Sequence, residues 1–288
     1  MSPESITAAE FRLIRDYIQE HCGICLGDEK AYLIETRLAG LMVQHGCTDF
    51  GSFYRLAKGG DSPQLREQVI DAMTTNETLW FRDQHPFSIL EEQLLPPLAE
   101  EILKGNRFRV RIWSAACSTG QEPYSIAMTI QEFCKRTPGL QPGHFEIIAS
   151  DISPSALFLA KAGRYDENAI RRGLPDDMKR KYFHPDGQVW KVNDDVKAMI
   201  SFRKFNLQDS MEPLGRMDIV FCRYVTIYFA DDFKRRIFQG LARLLGPGGH
   251  LLVSAVESLR GIADEFLPLT HGGGLYYRCE PQNPGGAP

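Results

Sequence analysis

The 288 residues, 43% hydrophobic and 24% charged, have the composition of a globular chain with room for one large or two modest domains. A net charge of −4 gives no general basic field for nucleic acid, and no run of about 18 apolar residues suggests insertion into a membrane. The opening M-S-P-E-S-I has no basic stretch leading into an apolar one, so a cytoplasmic location is expected.

Residues 5–85 read as helical. Thr7-Ala-Ala-Glu10 is a capping box that opens a helix with Phe11, Ile14 and Ile18 on one face. A second helix is expected from Glu29 to near Gly46, a third from Phe50 to Ala57 closed by Gly59-Gly60, and a fourth from Ser62 to Met73. This region carries eight Lys/Arg against thirteen Asp/Glu, a net of −5. Its Cys22-Gly-Ile-Cys25 has redox or zinc spacing without a second pair to complete a metal site, and no metal is expected. The odd total of seven cysteines, set among apolar neighbours, predicts reduced and mostly buried thiols.

Thr74-Thr-Asn-Glu-Thr-Leu-Trp-Phe-Arg82 is a polar cluster running into two aromatics and an arginine, readable as a domain-docking plug or as a lid over a ligand. A linker helix follows over residues 86–107, with Pro96-Pro97 within it or breaking it. From Phe108 strands and helices alternate, which predicts a mostly parallel sheet covered on both faces. Strand Arg109–Trp113 runs into small residues, Ser114 to Gly120, and then a helix from Pro123 to about Thr137. The small residues allow close approach of backbone to a ligand, although an ordinary strand–loop–helix has the same grammar. No G-x-G-x-x-G is present, which argues against a nicotinamide dehydrogenase.

A second strand, Phe145–Ser150, delivers Asp151, either to accept hydrogen bonds from ribose hydroxyls or to cap the helix over 153–162. Residues 164–205 interrupt the alternation with a basic run, a turn at Pro185-Asp-Gly187 and strand-like pieces at 189–192 and 199–202, read as a small helix plus hairpin inserted in the main sheet. The basic run is either a recognition platform or a solvated face. The sheet resumes at Ser201–Phe205 and again at Met217–Cys222. It continues through an amphipathic helix over 233–245, a Gly246-Pro-Gly-Gly249 turn and strand 250–254, and a hairpin over 266–279 closes it.

With these pieces placed, the chain resembles the CheR family of S-adenosylmethionine-dependent chemoreceptor glutamate O-methyltransferases. The likeness rests on T-T-N-E-T-L-W-F-R (74–82), W-S-A-A-C-S-T-G-Q-E-P-Y-S (113–125), A-S-D-I-S (149–153), F-C-R-Y-V-T-I-Y-F (221–229) and L-L-G-P-G-G (244–249), and it covers nearly the whole chain. It implies an α/β fold: a Rossmann-like methyltransferase sheet in residues 108–288, with an N-terminal all-helical domain over 1–85 and a small inserted β-subdomain. It implies contacts to S-adenosylmethionine from Asn76, Thr78, Arg82, Ala116, Glu122, Asp151, Asn206, Leu207, Tyr224 and Val225, with Arg82 and Tyr228 linked to catalysis and S-adenosylhomocysteine as product. The implied partner is the cytoplasmic domain of a methyl-accepting chemotaxis receptor, met by a monomer through the helical domain and the insert. Two other readings stay open: a related methyltransferase acting on another carboxylate, and a non-catalytic signalling adapter.

Three features depart from the family pattern. Tyr224 stands where Asn is usual. The helical domain is net acidic, so a basic patch would have to come from Arg37, Arg55, Lys30 and Lys58. The hairpin turn between Phe183 and Val189 is short, which predicts weak or no binding of a receptor C-terminal peptide.

Overall fold

The computed structural model describes residues 5–59 and 63–281. Four helices, α1 (Ala8–Cys22), α2 (Ala31–Gln44), α3 (Phe50–Gly59) and α4 (Pro63–Met73), bury one another's apolar stripes around Ile18, Ile34, Leu38, Met42 and Phe53. Both bonds of the Thr7–Glu10 capping box are formed at the start of α1. Gly60 and Ser62, expected to close α3 and open α4, lie outside the described residues.

The next segment is helical throughout: α5 (His85–Ile89), a π-turn (Leu90–Leu94) and α6 (Leu95–Leu103). Pro96 and Pro97 do not break it. They fall in the first turn of α6, directly after the π-turn. Phe87, Ile89, Leu90, Leu94 and Leu95 pack into the same core as the first sheet strand, so this segment belongs to the sheet's own interior.

The sheet strands are β1 (Val110–Ala115) and β2 (Phe145–Asp151), followed, after β3–β5 of the insert, by β6 (Ile200–Lys204), β7 (Ile219–Cys222), β8 (His250–Leu252), β9 (Phe266–His271) and β10 (Gly274–Cys279). Their spatial order is β6-β2-β1-β7-β8-β10-β9. The first five run parallel, and β10 and β9 close the far edge as an antiparallel hairpin. Helices α7 (Gln121–Arg136) and α8 (Pro154–Ala162) follow β1 and β2, and α12 (Asp231–Leu245) follows β7. Two apolar layers, one on each face, enclose the sheet. Chain order reverses direction at β1, between β2 and β7, which is where open α/β sheets bind ligands.

The insert holds a three-stranded antiparallel sheet of β3 (Arg164–Tyr165), β4 (Phe183–Asp186) and β5 (Val189–Val192), with α9 (Glu167–Arg171), α10 (Asp176–Tyr182) and α11 (Asp194–Lys197). The strand-like piece at 199–202 is not part of its hairpin, because Ile200–Lys204 pairs in parallel with β2 at the edge of the main sheet. Most of the basic run is paired locally: Arg171 and Lys179 with Glu167, Arg172 with Glu77, Lys181 with Glu132. The insert is fastened to α7 through Glu132, which accepts from Lys181, Tyr182 and Lys135. Partial burial opposes ionisation there, but the three donors outweigh it and lower the Glu132 pKa from 4.5 to about 2. Because the folded value lies below the unfolded one, this contribution is present above about pH 4.5 and is lost as pH falls through about 2. Glu132→Gln should therefore cost about 2 kcal/mol near neutrality and flatten the loss of stability in that acid window, measured by denaturant melts at several pH values.

Candidate active site

The register of the central strands sets the site. Ala115 at the end of β1 lies beside Ser150 of β2 and Cys222 of β7, so Ala116, Asp151 and Arg223 leave the sheet side by side. Above them runs the segment 74–82, and α1, α2 and their connection supply the far wall. Together these elements line a cleft of about 1190 Å³, its open mouth included.

Backbone strain concentrates here. Among the described residues, the non-glycine residues with left-handed φ are Phe81, Asp83, Gln84, Ala116, Ser118 and Tyr224; the last three line the cleft and the first three lie beside Arg82, which also lines it. Such conformations persist only where surrounding contacts over-determine them, and they cluster at functional sites. Gly120, at φ 97°, begins α7, and a Cβ there would lie 3.0 Å from both Ala160 and the Tyr165 hydroxyl, so this turn is packed down to its backbone.

Asp151 is 6% exposed and accepts from the Ser118 amide at 2.7 Å and the Ser153 amide at 2.9 Å. It does not cap α8. Ser153 does, accepting from the Ala156 amide. Burial raises the Asp151 pKa, with the amide bonds acting against that shift. A buried carboxylate with one amide on each oxygen retains lone pairs for further donors. Around it, the Ser118 hydroxyl donates to the Asn76 carbonyl at 2.9 Å, and the Asn76 amide reaches the Ser153 hydroxyl at 3.4 Å.

Beside β7 lies a second buried network. Arg223, its side chain 1% exposed, donates to Glu122 at 2.9 Å, to Asp83 at 2.7 Å and to the Arg82 carbonyl at 2.7 Å. Glu122 also accepts from the Ser114 hydroxyl at 2.8 Å. The remaining nitrogen, Nε of Arg223, is the one buried side-chain N or O among the described residues that has no partner. Glu257, also buried, accepts from the amides of Tyr224, Val225 and Thr226 and so fixes the loop carrying Tyr228.

The helical domain closes the cleft by direct backbone pairing. The Cys25 amide donates to the Tyr228 carbonyl at 2.8 Å, and Ile24 bridges to Phe229. Cys22 is buried and Cys25 exposed, both as free thiols. Arg37 turns inward, donating to the carbonyls of Met73 at 2.6 Å and Thr74 at 3.2 Å, and Lys30 also lines the cleft. Lys58 bonds the Tyr54 hydroxyl on the domain's outer side. These residues therefore do not form one outward basic patch. On the opposite side the buried Trp80 is held by the insert: its indole donates to Ala169 and its amide to Arg172. A Cβ on Gly173 would stand 2.3 Å from the Trp80 carbonyl, so only glycine allows that approach.

Of the residues singled out in the sequence, Asn76, Thr78, Arg82, Ala116, Glu122, Asp151, Tyr224, Val225 and Tyr228 all line the cleft. Asn206 and Leu207 are not among its lining residues. The Asn206 amide donates to the His21 carbonyl at 2.8 Å, and Leu207 packs against the core on the α12 side of the sheet. Arg223, Glu257 and Asp83 were not anticipated. A charged residue at the end of an otherwise apolar strand was the available signal for Arg223; Glu257 and Asp83 find their roles only through partners distant in sequence.

Comparison with known proteins agrees with this geometry. The family model "CheR methyltransferase, SAM binding domain" matches residues 76–271, and "CheR methyltransferase, all-alpha domain" matches residues 9–74. A "Chemotaxis protein methyltransferase" of Vibrio parahaemolyticus is 43% identical over 282 residues, spanning 97% of this chain and 100% of that protein. "Chemotaxis protein methyltransferase 1" of Pseudomonas aeruginosa is 43% identical over 281 residues, spanning 96% and 100%. A more distant relative, from Borreliella burgdorferi, is 35% identical over 260 residues, spanning 89% and 90%.

Proposed function

The chain belongs to the CheR methyltransferase family, and from that membership we propose that it methylates glutamate side chains on the cytoplasmic domains of chemoreceptors. S-adenosylmethionine is its methyl donor. The residues present suit that donor: Asp151 is a buried acceptor for ribose hydroxyls, Ala116 and Ser118 let the backbone approach, and the unpartnered Nε of Arg223 is a donor awaiting an acceptor. The observation that carries the reading is the convergence of Asp151, the Glu122–Arg223 pair and Arg82 on one cleft.

When bound, the donor supplies a methyl group on a sulfonium, and transfer to a carboxylate oxygen leaves a neutral ester and a neutral thioether. A substrate glutamate, with an ordinary pKa near 4.3, is already ionised at neutral pH, so the site needs no general base. The chain's task is placement of the carboxylate and exclusion of water. Arg82 orients carboxylates by charge-assisted hydrogen bonds, Glu122 is held in place by Arg223, and Tyr228 shapes the transfer site. Arg82→Ala should lower kcat/KM roughly 100-fold, the value of one or two charge-assisted bonds; an unchanged kcat/KM would remove Arg82 from this role.

The substrate assignment is tested by incubating the protein with tritiated S-adenosylmethionine and receptor cytoplasmic domains. Label released as methanol in base is expected, because carboxylate methyl esters hydrolyse there. Label found only on a small carboxylic acid would indicate another substrate, and no transfer despite donor binding would favour an adapter. The two-residue connection between β4 and β5 supports a substrate encounter without capture of a receptor C-terminal peptide.

A further inference from the structure

The Tyr224 backbone has φ 59°, a conformation unfavourable for a bulky side chain, and Glu257 holds its amide there at 2.8 Å. From this position the phenol hydroxyl reaches both carboxylate oxygens of Asp83, at 2.9 and 3.0 Å. Asp83 is itself fixed by the buried Arg223. The ring is thus anchored at its backbone and at its hydroxyl, and its face carries the guanidinium of Arg82, whose Cζ lies 3.3 Å from the ring centroid. The hydrogen bond from Arg82 to the Glu77 carbonyl is long, 3.3 Å, and would not alone hold so flexible a side chain.

We propose that Tyr224 is a positioning residue for methyl transfer: its ring face holds the Arg82 guanidinium in one orientation, one terminal nitrogen resting on the Glu77 carbonyl and the remaining donors available to a carboxylate. A guanidinium stacked by its face keeps its N–H groups in the plane, which is the geometry that bidentate carboxylate recognition requires. Asp83 completes the arrangement by fixing the ring, so the charge of Arg82 is oriented without a carboxylate competing for its donor edge. The inference rests on the role given to Arg82 above.

Steady-state kinetics on Tyr224→Phe, Tyr224→Leu, Arg82→Ala and the double variant Arg82→Ala/Tyr224→Leu test it, with thermal melts confirming that each is folded at the assay temperature. Tyr224→Phe keeps the face and should lower kcat/KM about twofold, whereas Tyr224→Leu should lower it about tenfold, the worth of a partly desolvated cation–π contact. In the Arg82→Ala background the Leu substitution should have no further effect, because the group it positions is gone. A structural role would reduce both backgrounds alike. Equal losses for Phe and Leu, or the full tenfold loss persisting without Arg82, would overturn the clamp and leave the role of Arg82 standing. Wild-type activity in Arg82→Ala would instead overturn that role, and the clamp with it. Tyr224→Met carries the same expectation as Leu and replaces it if the Leu variant does not fold.

Discussion

Asp151→Ala should weaken S-adenosylhomocysteine binding by about 100-fold or more in a calorimetric titration. Two hydrogen bonds from a ribose diol to an ionised, buried carboxylate are worth about 1.5–3 kcal/mol each. The substitution also leaves the Ser118 and Ser153 amides without their acceptor, loosening the turn that must approach the donor. A pH series separates these effects. Burial raises the Asp151 pKa, so wild-type affinity should fall as pH drops through a range above that of an ordinary aspartate, when the acceptor becomes a protonated acid. The Ala variant should show no such decline. Affinity within threefold of wild type would mean that Asp151 only braces the loop.

Arg223→Met should have the largest effect on stability. The substitution preserves bulk while leaving Glu122, 13% exposed, and Asp83, 28% exposed, without their cation. Removing one partner of a buried ion pair costs about 3–5 kcal/mol, which for a chain of this size lowers Tm by roughly 10 °C. At temperatures where the variant is still folded, methyl transfer should remain impaired, because the Arg82 carbonyl has lost its anchor as well. Pairing it with Glu122→Gln should recover part of the stability and none of the activity. A single-variant Tm within 2 °C of wild type would show that water reaches and screens this network better than its burial indicates.

What could be read from the residues was set by local rules. The Thr7–Glu10 box, the strand–turn–helix around Gly120, Asp151 after β2 and the closing hairpin each depend on neighbours within a few positions. The α/β methyltransferase fold, which the resemblance had implied, is the one observed. Contacts between distant residues were not legible. Arg223 meets Glu122 across 101 positions and Asp83 across 140, and no local pattern announces either pairing. Strand β6 reads equally as hairpin or sheet because it is a short edge strand without clean alternation, and only parallel pairing with β2 identifies it. Pro96 and Pro97 were ambiguous because the π-turn that precedes them has no sequence signature. The inward turn of Arg37 likewise depends on the carbonyls of Met73 and Thr74, which α4 alone places within reach.

The cleft between the helical domain and the β1–β2–β7 edge is where the methyl donor is expected to bind. A crystal structure with S-adenosylhomocysteine tests it most directly. Ligand density is expected beside Asp151, Glu122 and Arg82, with the ligand's thioether sulfur facing the Arg82–Tyr228 side where a substrate carboxylate enters. Density at any other surface, with this cleft closed by its own side chains, would contradict it.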